Sequence, residues 1–325
     1  MTALGELRAS AIGDLAAALL QDEPQWARVH SVFPHAVNIA FGKDGWVCLH
    51  PDGGQLSPYS VVLSGDGAEG GGGGGRALLG ARQGEPAFVS RRRLELVCPA
   101  VAISLETARV WDSAIGPCPS TSRGAAGRRA VVRLAAPEGE ASVFLRSVTR
   151  RRGREVQGAR VALDGTPGEH LAGLIGYRVN TALGALARTL LARDPIGLDV
   201  ALRDLVGLGT GFTPAGDDFL VGLLAASRST MPEETCDLAG RADRLLASLP
   251  GATTQASYLM LKAATAGHYP EALIELVTAV ASGDADSVRL SAGRLAGLGA
   301  TSGQDMLAGV LFWLDTCREG VGKTA

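Results

Sequence analysis

The chain has 325 residues, of which 46% are hydrophobic, 20% charged and 44 glycine. A chain this apolar buries a sizeable core, and its glycines follow no Gly-X-Y period, so disorder, a collagen-like rod and a small disulfide scaffold are excluded. The formal net charge of −2 hides segments of −5 (residues 1–75), +9 (76–160, all arginine on the basic side) and −6 (161–325); with few aromatics beside the arginines, this reads as solvated surface rather than a nucleic-acid face.

Residues 3–20 space Leu4, Leu7, Ile12, Leu15 and Leu19 at helical intervals, and Asp22-Glu23-Pro24 ends the pattern, which predicts a leading amphipathic helix. Glu6, Arg8 and Asp14 interrupt it, so it lacks the apolar core of a signal peptide, and no run elsewhere reaches membrane-spanning length. The five cysteines are scattered without a C-x-x-C pair, which argues against a disulfide framework or a zinc site and for a reducing cytoplasm.

From Trp26 to about Asp164 short β-branched runs alternate with turn residues: Val37–Phe41, Trp46–Leu49, Ser60–Leu63, Leu94–Val97, Ala130–Leu134, Ser142–Val148 and Arg160–Leu163. Lys43-Asp44-Gly45 reads as a hairpin turn, His30 and His35 bracket another, and His50 and His170 read as surface residues. The glycine run 70–75, within a loop at 65–75, loses too much backbone entropy on ordering to join a strand. From Glu169 onward alanine and leucine recur at helical spacing, broken at Asp194-Pro195, Gly207–Pro214, Met231-Pro232, Pro250-Gly251, Pro270, Ser282-Gly283-Asp284 and Gly299. Seven or eight helices of roughly 11 to 22 residues follow from those breaks. The expected fold is α+β: a leading helix and β-rich domain over residues 1–165, then an all-helical domain over 166–325.

The most unusual stretch is Gly207-Leu-Gly-Thr-Gly-Phe-Thr-Pro-Ala-Gly-Asp-Asp-Phe-Leu-Val-Gly222. Thr213-Pro214 reads as a helix start with a hydroxyl cap. A glycine loop feeding a helix amino terminus can hold an anion, here through the amides of Gly207, Gly209, Thr210, Gly211, Thr213 and Gly216. Neither a dinucleotide fingerprint nor a P-loop is present, because Phe212 replaces the third glycine and no Gly-Lys-Ser/Thr follows; the literal match at Gly65–Gly70 enters the glycine run rather than a helix.

The helix opening recurs in Thr301-Ser302-Gly303-Gln304-Asp305-Met306-Leu307-Ala308-Gly309. In both copies a glycine lies one turn beyond an acid, at 222 after Asp218 and at 309 after Asp305. A mid-helix glycine costs up to ~1 kcal/mol relative to alanine, so two at matching positions predict that the helices cross there and bring Asp217, Asp218 and Asp305 to one site. The three acids are candidate catalytic residues and a candidate Mg²⁺ set, against the plainer reading that they complement a helix dipole. Thr253 and Thr254 open another helix and serve either as caps or as ligand hydroxyls, like Thr301, Ser302 and Gly303. No His-x-His, His-Glu-x-x-His or G-x-S-x-G pattern supports zinc hydrolysis or a serine nucleophile.

The Gly207–Gly222 run, Thr253-Thr254, Thr301–Gly309, and the opening Val29-His30-Ser31-Val32-Phe33 with Asn38 resemble the family of the oxamate carbamoyltransferase subunit AllH over nearly the whole chain. Phe212 and Ala300 depart from its usual pattern. The resemblance implies carbamoyl transfer between carbamoyl phosphate and oxamate, giving oxalurate and phosphate, in anaerobic purine or allantoin breakdown. It also implies a cytoplasmic hetero-oligomer with a succinyl-CoA-synthetase-alpha-like subunit and a third protein, with neither nucleic acid nor membrane as partner. Two alternatives stay open: a non-catalytic scaffold subunit of an acyl-CoA-synthetase-like complex, and an independent phosphate- or nucleotide-binding enzyme.

Overall fold

The computed structural model describes residues 5–65, 80–98, 100–115, 142–150, 167–230 and 237–321. They form two compact units divided between Ala114 and Ile115, earlier than the 165/166 boundary expected. The glycine run, the predicted strands at 130–134 and 160–163 and the Met231-Pro232 break lie outside the described residues.

The first unit is a closed barrel, which the sequence reading did not anticipate. Its strands are β1 (Gly5–Gly13), β2 (Gln25–Phe33), β3 (Ala36–Phe41), β4 (Gly45–His50), β5 (Ser60–Leu63), β6 (Pro86–Val89), β7 (Arg93–Leu96) and β8 (Val101–Ser104), with β9 (Arg109–Trp111) following β8 along β1. The order β5-β4-β3-β2-β6-β7-β8-β1 closes because β1 also pairs with β5, Ala9 opposite Leu63 and Ile12 opposite Val61, which removes the edge strands. Val29, Ile39, Val47, Leu49, Val61, Leu63, Leu94 and Ile103 belong to the barrel core.

The predicted leading helix is mostly strand β1. Leu7, Ala9 and Ala11 are buried while Glu6, Arg8 and Ser10 are exposed, a period of two that the wider spacing of leucines masks. Only Asp14–Leu19 is helical (α1). His50 is not a plain surface residue: its ring lies 3.2 Å from both Cys48 Sγ and the His35 carbonyl. The Lys43–Gly45 hairpin is present between β3 and β4. In the middle segment, Arg91 pairs with Asp22, and Arg93 with Glu6, at exposed positions, and Arg93 also pairs with the half-buried Glu95.

The second unit is helical: α2 (Val143–Arg150), α3 (Pro167–Ala192), α4 (Pro195–Leu205), α5 (Ala215–Thr230), α6 (Leu238–Ser248), α7 (Gln255–Ala266), α8 (Glu271–Ser282), α9 (Ala285–Ala296) and α10 (Ser302–Val321). Helix α2 replaces the strand expected at 142–148. Ser142 Oγ accepts from Leu145 N at 3.0 Å to start it, and Phe144, Leu145 and Val148 form one buried face. Helices α5 and α10 are apolar all round, with Phe219–Ala226 and Met306–Leu314 almost wholly buried, so they form the centre of the unit.

Part of the unit recurs: the segment from the start of α4 into α5 matches that from the start of α9 into α10. Leu205-Val-Gly-Leu-Gly209 at the end of α4 matches Leu295-Ala-Gly-Leu-Gly299 at the end of α9, and the likeness is also in the bonds. Leu208 N donates to Leu205 O and Leu298 N to Leu295 O, both at 3.0 Å; Gly216 N donates to Leu208 O at 2.8 Å and Gly303 N to Leu298 O at 3.0 Å. Asp194 caps α4 and Asp284 caps α9, each preceded by a left-handed residue, Arg193 (φ 53°) and Gly283 (φ 78°). A Cβ on Gly222 would lie 1.9 Å from Met306 O, and one on Gly309 would lie 2.1 Å from Phe219 O. Phe219 and Met306 are equivalent positions, so the α5–α10 crossing is a reciprocal, pseudo-two-fold contact.

Candidate functional site

Both expected glycine contacts at the crossing are present, and Asp218 and Asp305 each immediately precede the residue whose carbonyl meets the opposing glycine. Above the crossing, loops 206–214, 250–254 and 297–301 converge. Thr213 Oγ1 and Ser302 Oγ are hydrogen-bonded at 2.9 Å, and Thr254 Oγ1 donates to Phe212 O at 2.9 Å. Glycine lets the loops come this close: a Cβ on Gly207 would stand 2.2 Å from Ala252 O, at a φ of +71° that few side chains adopt.

The three acids separate into two kinds. Asp217 is tied into the framework, its Oδ1 accepting from Gly207 N at 2.8 Å and its Oδ2 from Thr253 Oγ1. Asp218 and Asp305 are 4% and 0% exposed, yet Asp218 Oδ2 and both oxygens of Asp305 have no hydrogen-bond partner. Burial raises the Asp217 carboxyl against the opposing bonds from Thr253 and Gly207 and the nearby Ser257 hydroxyl. Burial pushes Asp218 up to about 7, opposed by the Ser302 and Thr213 hydroxyls and reinforced by the charges of Asp305 and Asp217. Asp305 also rises to about 7 through burial; the nearby Ser142 and Thr301 hydroxyls favour its charged form without reaching hydrogen-bond geometry to its oxygens.

Several expectations change in detail. Of the amides expected to form an anion cradle, those of Gly207 and Gly216 are used within the loop, by Asp217 and Leu208 O, while Thr210 and Gly211 lie at the exposed tip beside Gly209 (φ 122°). Helix α5 begins at Ala215, with Pro214 O accepting from Asp217 N and Asp218 N; Thr213 spends its hydroxyl on Ser302 instead of capping. Thr253 holds Asp217 and Thr254 caps α7 through Ser257 N, so both hydroxyls are occupied by the protein. Thr301 is exposed at the second loop, its carbonyl accepting from Asp305 N at 2.9 Å, and a Cβ on Gly303 would stand 1.7 Å from Leu295 O.

The donors do not fit Mg²⁺ at the three acids. Among the described residues no three His, Cys, Asp or Glu side chains converge to hold a metal, because Asp217 is turned to Gly207 and Thr253. The sequence reading missed Ser142, whose amide donates to Gln304 Oε1 at 2.7 Å and which brings the start of α2 beside Asp305. Only a helical reading of residues 142–148 would have exposed it.

The fold and site define a two-unit protein: a barrel, and a helical unit whose pseudo-two-fold crossing carries two buried carboxyls with unpaired oxygens. The chain belongs to the AllH family: the profile of the oxamate carbamoyltransferase subunit AllH matches residues 205–314, and that of the AllH family N-terminal domain matches residues 8–110. The first match spans the loops, the crossing and all three acids. Comparison with curated proteins gives no match, and comparison with solved structures gives none either. No helix among the described residues is long and apolar enough to cross a membrane.

Proposed function

We propose that this chain is the subunit of an oxamate carbamoyltransferase that holds the carbamoyl compound, with the site at the junction of loops 206–214 and 297–301 above Asp218 and Asp305. The observation that carries the reading is the set of three buried carboxyl oxygens without donors, inside the segment that the transferase-subunit profile matches. Unsatisfied acceptors call for N–H groups, and the carbamoyl NH₂ and the amide of oxamate supply them.

In the transfer, the oxamate nitrogen attacks the carbamoyl carbon of carbamoyl phosphate. The new N–C bond forms as the C–O bond to phosphate breaks, one nitrogen proton passes to an ionised carboxylate of the pair, and inorganic phosphate leaves with oxalurate as the other product. The exposed Thr210–Gly211 tip provides amides for the phosphate end, away from the carboxyls that would repel it. This chemistry belongs to anaerobic purine or allantoin breakdown in the cytoplasm, in a complex with a succinyl-CoA-synthetase-alpha-like subunit and a third protein.

Reconstitution of the complex and measurement of oxalurate formed from carbamoyl phosphate and oxamate tests the reading. Asp218→Asn and Asp305→Asn should each lower turnover at least ~100-fold while the complex still assembles. Full turnover in both variants would leave the chain as a scaffold subunit.

A further inference from the structure

Asp218, through Oδ2, and Asp305, through both oxygens, lack hydrogen-bond partners at matching places. Asp218 and Asp305 occupy equivalent places in the duplicated helix openings, each one residue before the carbonyl that touches the opposing glycine. Neither is paired with a basic side chain among the described residues. The charged groups acting on Asp218 are Asp305 from α10 and Asp217 from its own helix, and what else faces the pair is hydroxyl: Thr213 and Ser302 toward Asp218, Ser142 and Thr301 toward Asp305. Two carboxylates buried this way, with no cation beside them among the described residues, cannot both stay charged at small cost.

We propose that Asp218 and Asp305 work as a single pair that holds one proton between them at neutral pH and recognises the N–H/C=O edge of a primary amide or ureido group. The ionised member accepts the amide N–H and the protonated member donates to the amide carbonyl. This rests on the carbamoyl reading of the same site and adds to it the chemical class that the pair selects. A phosphate or a second carboxylate offers no N–H and would be repelled, whereas a primary amide satisfies a donor and an acceptor at once. The same proton, donated to the carbonyl, would stabilise negative charge developing there during transfer.

The test uses the full-length chain with oxamate as probe, and with oxalate, which lacks the NH₂ group, and Mg²⁺ as controls. Calorimetric binding is followed from pH 5 to pH 9, and the aspartate carboxyl carbons are titrated by NMR, with Asp218→Asn and Asp305→Asn used to assign them. Oxamate should bind best near neutral pH and at least about tenfold more weakly at either extreme, because the pair is doubly protonated at one and doubly ionised at the other. Oxalate and Mg²⁺ should not bind. Asp305→Asn supplies a permanent donor, so it should retain oxamate binding, keep the acid limb of the pH profile and lose the alkaline limb. Oxamate binding that is flat across the range overturns the shared proton while leaving the carbamoyl site standing. Oxalate binding as tightly as oxamate, or Mg²⁺ shifting both carboxyl carbons, overturns the amide assignment. No oxamate binding, with both carboxyls titrating near pH 4, removes the pair and the carbamoyl site together.

Discussion

A buried carboxyl without donors is a cost that depends on pH. Asp218 and Asp305 titrate at about 7 in the folded protein, against about 3.9 in an unfolded chain. Between those values the folded state keeps protons that the unfolded state has released. Stability is therefore greatest below the unfolded value, falls as pH rises toward 7, and stays low above it. The loss is on the order of a few kcal/mol for each group. Asp305→Asn should accordingly raise the melting temperature more at pH 8 than at pH 5, a comparison that calorimetry makes directly. Equal shifts at both pH values would show that the carboxyl carries no such cost. Asp217 has the opposite character: Asp217→Ala should cost about 1–3 kcal/mol at neutral pH by orphaning Gly207 N and Thr253 Oγ1, measured by urea unfolding. The repeat of Gly-x-Asp with a glycine one turn later made Asp218 and Asp305 legible in the sequence. Which of the adjacent Asp217 and Asp218 is tied down was not legible, because the answer lies in a hydroxyl on a loop remote in sequence.

At the scale of elements, the crossing of α5 and α10 rests on the absence of two side chains. Gly222→Ala or Gly309→Ala would drive a methyl into a backbone carbonyl, so the helices must separate, and each should cost roughly 1–3 kcal/mol or more. Gly293→Ala in α9 meets nothing within 4 Å and should be neutral, or more stable by up to about 1 kcal/mol through helix propensity alone. Chemical denaturation of the three variants distinguishes a packing glycine from an ordinary one; equal effects in all three would sink the crossing argument. The long helices were legible because their ends carry strong punctuation: Asp194-Pro195 caps α4, Gly267 and Gly283 terminate α7 and α8 in left-handed conformations, and Asp284 caps α9. The shorter elements were not. Strand β1 hides a period of two among leucines at helical spacing, and α2 is a single amphipathic turn pair whose Val-Phe-Leu sequence suits a strand equally well until Phe144 meets Phe219 at 5.0 Å.

The two units differ in how much of their organisation a linear reading can reach. Closure of the barrel depends on β1 meeting β5, and no local pattern announces that pairing. The duplication in the helical unit is spread over short matches separated by unequal loops, so only its acid-bearing end stood out in the sequence. Its full extent shows in paired hydrogen bonds, paired left-handed residues and reciprocal glycine contacts. Because each half supplies the surface that the other half's glycine needs, the crossing behaves as one interface, not two. Once Gly222→Ala has forced α5 and α10 apart, the space that Gly309→Ala requires is already partly open. The double variant should therefore be less destabilised than the sum of the singles, with a coupling of about 0.5–3 kcal/mol obtained from a double-mutant cycle. Strict additivity would mean that the two contacts relax separately, and the acids beside them would then lack a common frame to hold them against a single ligand.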